Sequence, residues 1–295
     1  MSSASRPVPF LKGHGTENDF VIVPDHEGLL DIPPAAVARL CDRRAGIGGD
    51  GLLRVVRSAA IEEGRALADT AEWFMDYRNA DGGVAEMCGN GVRVFARYLL
   101  RAGLVKEGLV PVATRAGLRR VHLTADGDPT VEMGRARLPG GSGETITVTV
   151  GDRVRPGRQV DMGNPHAVVF VDDLEDAGPL TEPPAVAPAS AYPNGVNVEF
   201  VVDRGPAHVA MRVHERGSGE TRSCGTGACA VMVATARRDG RTPAPGTPLR
   251  YTVDLPGGSL VITEDVDGEI TMTGPAEIVA EGVLDADWWG RAAVR

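Results

Sequence analysis

Two short stretches carry the residues best suited to chemistry, Cys88-Gly89-Asn90-Gly91 and Cys224-Gly225-Thr226-Gly227. In each, a cysteine precedes Gly-x-Gly and an apolar run follows at once, which predicts a thiol at a helix N-terminus. The unpaired N–H groups of a first helical turn and the helix dipole favour negative charge there. Such a position is expected to pull a cysteine below its ordinary pKa of about 8.5. The same N–H groups make a cradle for a carboxylate. Two activated sulfurs beside two anion cradles point to chemistry on a carbon next to a carboxylate.

The scaffold that positions them is an ordinary soluble one. The 295 residues, 42% hydrophobic and 24% charged, can bury a substantial core and suit two domains better than one. The net charge is −9, from 40 acidic and 31 basic residues, and no long basic run is present, which argues against a nucleic-acid partner. No apolar run approaches the roughly 20 residues of a membrane span, and the first residues lack the apolar core of a secretory signal. Four cysteines without paired CxxC spacing suit neither a disulfide framework nor a zinc site, so reduced thiols, a cytoplasmic location and no metal are expected. Lys12 and Lys106 are the only lysines, leaving few candidates for a Schiff-base cofactor.

Along the chain, His14-Gly15-Thr16-Glu17-Asn18-Asp19-Phe20 precedes a strand-like Val21-Ile22-Val23. These residues alone leave open whether it is a site at the edge of a loop or a simple turn. A helix is predicted over Ala35 to Arg44, with Ala36, Val37, Leu40 and Cys41 on its core face. The glycine-rich Gly46 to Gly51 lacks the residues of a phosphate loop. A strand at Trp73 to Arg78 and a turn at Asn79 to Gly83 lead to Cys88 and an amphipathic helix. That helix places Val92, Phe95, Ala96 and Leu99 on one face and Arg93, Arg97 and Arg101 on the other. Short strands follow, then Asp161 to His166 feeding a buried strand, and the proline-rich Pro179 to Pro193 as an extended surface connection. A turn and strand over Asn194 to Val202 and a further strand at Val209 to Arg216 lead to the second cysteine. Its helix, Ala228 to Arg238, is small and apolar enough to be wrapped by sheet. The expected architecture is therefore α/β (α+β): two pseudo-symmetric lobes, each a mostly antiparallel curled sheet or barrel around a central helix.

Seven ordered blocks, HGTENDF, GIGGDG, NADGGVAEMCGNGVRVFARYL, MGNPH, GVNVEF, ERGSGETRSCGTGACA and DLPGGSL, resemble diaminopimelate epimerase of bacterial lysine and peptidoglycan biosynthesis. The resemblance implies the epimerase fold, with residues 1–132 completed by 275–295 as one lobe and 133–274 as the other. It also implies cofactor-independent interconversion of LL- and meso-diaminopimelate by proton transfer at one α-carbon. Inverting that carbon needs a base on one face and an acid on the other, roles that a thiolate and a thiol can exchange. Cys88 and Cys224 are the expected pair, close enough to risk a disulfide when substrate is absent.

By the same resemblance, the backbone N–H groups of Gly89, Asn90, Gly225 and Thr226 hold the reacting carboxylate. Asn18, Asn79, Asn164, Asn197, Glu215 and Arg216 are carried over as substrate contacts, with Arg216 suited to a bidentate pair with the distal carboxylate. Asp50 and His166 are candidates for tuning Cys88, and Glu215 for tuning Cys224. The partner is the small-molecule substrate, and a homodimer is kept open. Cys41 and Cys229 read as packing residues, and His14 and His122 are left unassigned. Glu17, Val84 and Gly51 depart from the family's usual pattern and bear on loop geometry.

Overall fold

A computed structural model describes residues 7–293. Its chain opens with a hairpin, Val8–Gly15 (β1) and Asn18–Pro24 (β2), then Pro34–Cys41 (α1), Gly51–Arg57 (β3) and Trp73–Asn79 (β4). Helix Gly89–Arg101 (α2) follows, then Gly108–Thr114 (β5), Gly117–Leu123 (β6) and Thr130–Arg135 (β7). Next come Ile146–Val150 (β8), Arg153–Asp161 (β9), Pro165–Phe170 (β10), Ala185–Ala187 (β11), Asn197–Gly205 (β12), His208–Glu215 (β13) and Gly219–Glu220 (β14). Gly225–Arg238 (α3), Leu249–Leu255 (β15), Gly258–Glu264 (β16), Glu269–Thr273 (β17), Glu277–Leu284 (β18) and Ala286–Ala293 (α4) complete it.

The described chain divides into two compact units: residues up to Val131 with those from Pro275 onward, and Glu132–Gly274. In the first, β1 pairs antiparallel with β18 and β2, and β2 runs parallel to β3. Strand β3 pairs antiparallel with β4, β4 parallel with β5, and β5, β6 and β7 continue antiparallel. Helix α2 touches β1 through β6 and β18, so the sheet curls around it. Its Val92, Val94, Phe95, Ala96 and Leu99 are fully buried. A second apolar layer, built on Val37, Leu40, Cys41 and Trp289, packs α1 and α4 against the outside of the sheet.

The second unit repeats this order of pairings. Strands β9 and β10 are antiparallel, β10 and β12 parallel, β12 and β13 antiparallel, β13 and β15 parallel, and β15, β16 and β17 antiparallel. Helix α3 enters after the fourth strand of this series, as α2 does after β4, and is buried from Gly227 to Ala236 among β9, β10, β12, β13, β15, β16 and β17. The duplication hinted at by the four-residue repeat thus extends through whole units, with parallel pairs set into mostly antiparallel sheet. Among the described residues no helix is long and apolar enough to cross a membrane.

Three local expectations are corrected. Helix α1 stops at Cys41 rather than Arg44, because Asp42 turns extended and its carboxylate accepts the Arg44 and Ala45 N–H groups. Arg93, assigned by periodicity to the face opposite the core, is fully buried: the first turns of α2 are enclosed all round, and the Arg93 guanidinium donates to Asn90 Oδ1 and Thr16 Oγ1. Within the proline-rich connection, β11 pairs antiparallel with β8, and Leu180 is buried in the core of the second unit.

Candidate active site

Cys88 and Cys224 occupy the same local position, each the N-cap of its enclosed helix with extended backbone. Cys88 Sγ accepts the Gly91 N–H at 3.4 Å, and Cys224 Sγ accepts the Gly227 N–H at the same distance. Each sulfur therefore does what a serine oxygen does at an N-cap, satisfying one orphan donor of the first turn. The N-terminal N–H groups of Gly89 and Asn90, and of Gly225 and Thr226, open each helix beside its sulfur.

In the first unit, the hairpin residues Thr16 and Glu17 both have positive φ, 53° and 60°, which matches the twist of a two-residue turn at the cost of strain. That turn delivers Asn18 to Cys88. Asn18 Oδ1 accepts the Cys88 thiol at 3.5 Å and Asn90 Nδ2 at 3.2 Å, while its Nδ2 donates to Asp50 Oδ2 at 2.8 Å. Asp50 is thus linked to Cys88 through Asn18, and it is braced by the Asp19 N–H and by Arg43 at 2.7 Å. Asp19 is in turn gripped by Arg43 and Lys12. Although burial opposes its charge, these two cations hold its carboxyl far below the usual range. Asn79 ends β4, exposed, its Oδ1 taking the Tyr77 hydroxyl. The absence of a side chain at Gly51 has a steric reason, since a Cβ there would lie 2.5 Å from the Arg78 carbonyl oxygen. Val84 is exposed.

In the second unit, Cys224 lies between two acidic arms. Glu215 accepts hydrogen bonds from the Cys224 thiol and the Thr221 hydroxyl, and burial pushes its carboxyl up. On the other side Thr226 Oγ1 lies 3.7 Å from Cys224 Sγ and accepts Asn164 Nδ2 at 3.2 Å. Asn164 Oδ1 meets His166 Nε2 at 3.1 Å, and His166 Nδ1 meets Glu199 at 2.6 Å, so His166, expected as a tuner of Cys88, is joined through Asn164 and Thr226 to Cys224. Asn197 donates to the Pro165 carbonyl and accepts the Arg216 N–H at 2.9 Å, which makes it a clamp that places Arg216. The exposed Arg216 side chain crosses Gly195, whose φ is 82° and whose Cβ would come within 3.1 Å of it.

The expectation of a depressed thiol fails at Cys224. Burial, reinforced by the negative charges of Glu215 and Glu199, raises this thiol well above its ordinary value, outweighing the Gly227 N–H and the Thr226 hydroxyl. The helix N-terminus is present, but in a dry setting beside two carboxylates desolvation wins. Glu199 and Gly195 were not singled out from the sequence. Glu199 could have been, as an acid inside the otherwise apolar run Val198 to Val202. Among the described residues no cluster of three or more His, Cys, Asp or Glu is placed to hold a metal ion.

The model of the diaminopimelate epimerase family matches residues 10–139 and 158–279. The chain belongs to the diaminopimelate epimerase family. It is 72% identical over 285 residues to the diaminopimelate epimerase of Streptomyces coelicolor, covering 96% of this chain and 98% of that one. With the Thermobifida fusca diaminopimelate epimerase the identity is 50%, over 92% and 96% of the two chains. Membership in this family makes the protein an enzyme, an isomerase of the epimerase kind. Solved structures with the same fold include a hydroxyproline epimerase from Agrobacterium vitis (TM-score 0.65, 17% identity, 98% and 99% of the chains) and a Bacillus anthracis phenazine biosynthesis protein (TM-score 0.66, 16% identity, 95% and 99%). At such identities they speak for the fold alone.

Proposed function

We propose that this epimerase interconverts LL- and meso-diaminopimelate, with Cys88 and Cys224 exchanging the α-proton from opposite faces of one carbon. The observation that carries the reading is the matched pair of N-cap cysteines, each sulfur 3.4 Å from a helix N–H in units of the same topology. A hydrolase would need one such cysteine, whereas inversion of a stereocentre needs two. The raised Cys224 thiol suits the acid of the pair, with Cys88 acting as the base in this direction. As the Cys88 thiolate takes the α-proton, the electron pair spreads into the substrate carboxylate, which lies under N–H donors of the first helical turns. The Cys224 S–H bond then breaks as a C–H bond forms on the other face. Preorganised donors in a water-poor site supply the stabilisation that this weakly acidic carbon requires.

Asn18, Asn79, Asn164, Asn197, Glu215 and Arg216 are the proposed substrate contacts, with Arg216 on the distal carboxylate. The hydrolase alternative, with His166 as the base for a single thiol, is disfavoured because both ring nitrogens are engaged, by Glu199 and by Asn164. On the proposed reading the enzyme serves lysine and peptidoglycan precursor synthesis in the cytoplasm without a cofactor, as a homodimer. Incubation with LL-diaminopimelate in deuterated water tests the assignment: deuterium enters the α-position as the meso form accumulates. Exchange with proline and none with diaminopimelate would overturn it.

A further inference from the structure

Cys224 is joined to a fully buried carboxylate by an unbroken chain of side chains. The chain runs Glu199, His166, Asn164, Thr226, Cys224, with separations of 2.6, 3.1, 3.2 and 3.7 Å. Glu199 and His166 are wholly removed from solvent. Glu199 Oε2 has no hydrogen-bond partner among the described residues, so the carboxylate meets the protein's donors through the His166 ring. A buried carboxylate so poorly solvated needs a cation, and the facing groups besides His166 are Glu215, the Cys224 thiol and the Tyr192 phenol, none of them positive.

Both ring nitrogens of His166 face acceptors, Glu199 Oε1 at Nδ1 and Asn164 Oδ1 at Nε2. We infer that Glu199 is a positioning residue that keeps both His166 nitrogens protonated, so that the donors of the chain all point toward Cys224. His166 Nε2–H donates to Asn164 Oδ1, Asn164 Nδ2–H to Thr226 Oγ1, and the Thr226 hydroxyl is then left to give its hydrogen to sulfur. Glu215, on the other side of Cys224, is an acceptor and favours the thiol; this chain favours the thiolate. When the Cys224 S–H bond breaks and its proton leaves for carbon, the sulfur keeps the electron pair. The Thr226 hydroxyl and the imidazolium behind it then take up that charge. The inference deepens the two-thiol reading and rests on it, but its first test does not need substrate.

Nitrogen-15 NMR of His166 in the substrate-free wild-type enzyme is expected to show hydrogen on both ring nitrogens. A ring with a bare Nε2 would mean that the Asn164 amide is turned over and the chain runs the other way, which would overturn the inference. Glu199→Gln keeps the volume and removes the charge, and one ring hydrogen should be lost. Removing this charge-assisted support should lower kcat about ten- to hundred-fold. KM should stay within about threefold if the loss is confined to the transition state. Residues acting through one chain are non-additive. The double variant Glu199→Gln with His166→Gln should therefore be no slower than His166→Gln alone. Losses that multiply, or a Glu199→Gln enzyme with unchanged kcat, would sink the inference. Absence of α-deuterium exchange in the wild type would instead refute the proposed reaction and leave the ring measurement standing.

Discussion

Gly227→Ala separates the two things asked of the residue that follows the second cysteine cradle. Its backbone is not in the left-handed region, so alanine suits the φ of the site, and helix propensity alone would stabilise by about 1 kcal/mol. The space is what refuses it. An added Cβ would lie 2.9 Å from Glu199 Oε1, 3.2 Å from Cys224 Sγ and 3.3 Å from Cys224 Cβ. Glu199, buried and tied to His166, has little room to give, so the first turn of α3 must back away from it and carry the sulfur that caps it. Overpacking of this kind costs about 1–3 kcal/mol, which leaves a net loss of roughly 0–2 kcal/mol after the propensity gain. That is a melting point lower by a few degrees. The rate should suffer far more: displacing a reacting group by a fraction of an ångström is expected to lower kcat about ten-fold or more, since an error of about 1 Å costs near a hundred-fold. Gly290→Ala is the control, a helical glycine in α4 with nothing within 4 Å of its Cβ. It should stabilise by up to about 1 kcal/mol and leave turnover unchanged. Thermal melts and α-deuterium exchange on both variants decide the matter. A Gly227→Ala enzyme with kcat within about twofold of wild type would refute the claim that this glycine sets the position of the sulfur.

Cys88→Ala and Cys224→Ala should each lose about 10²–10⁴ in epimerisation rate; full activity surviving in Cys224→Ala would return the single-thiol hydrolase to consideration. Asp76 is fully buried, and despite that burial the Arg78 and Arg115 guanidinium groups hold its carboxyl below the ordinary range. A depressed carboxyl contributes stability that is full above its unfolded pKa of about 4 and is lost as pH falls below it. Asp76→Asn should therefore cost about 3–5 kcal/mol near neutrality, and its chemical-denaturation midpoint should depend less on pH below about 4 than that of the wild type. Burial pushes the Cys41 thiol up to about 12. Iodoacetamide at pH 8, followed by peptide mass mapping, should modify the half-buried Cys88 well before Cys41, and the reverse order would contradict the assigned environments.

What the sequence determined by itself was local. A cysteine before Gly-x-Gly and an apolar run reads as a helix start, and the Asn164-Pro165-His166 and Asn197 blocks carry their identity in short order. The alternation in Thr145 to Val150 and Leu249 to Val253 made strands legible for the same reason. Tertiary structure decided what those residues face. Arg93 reads as a surface residue because its four-residue spacing from Arg97 says nothing of a sheet that closes over the N-terminal turns of α2 on all sides. Glu199 stands out as an acid within an apolar strand, but its partner is decided only when a parallel pairing places Asn197 opposite His166, leaving the Glu199 carboxylate within reach of that ring. Cys224 shows the division most plainly. Its helix-capping position follows from four consecutive residues, and Glu215 lies close by in sequence, but the direction of its proton affinity follows first from burial, with Glu215 and the more remote Glu199 adding to it. A helix-capping hydrogen bond is set by neighbours in sequence, whereas the dielectric around a group is set by everything that folds against it.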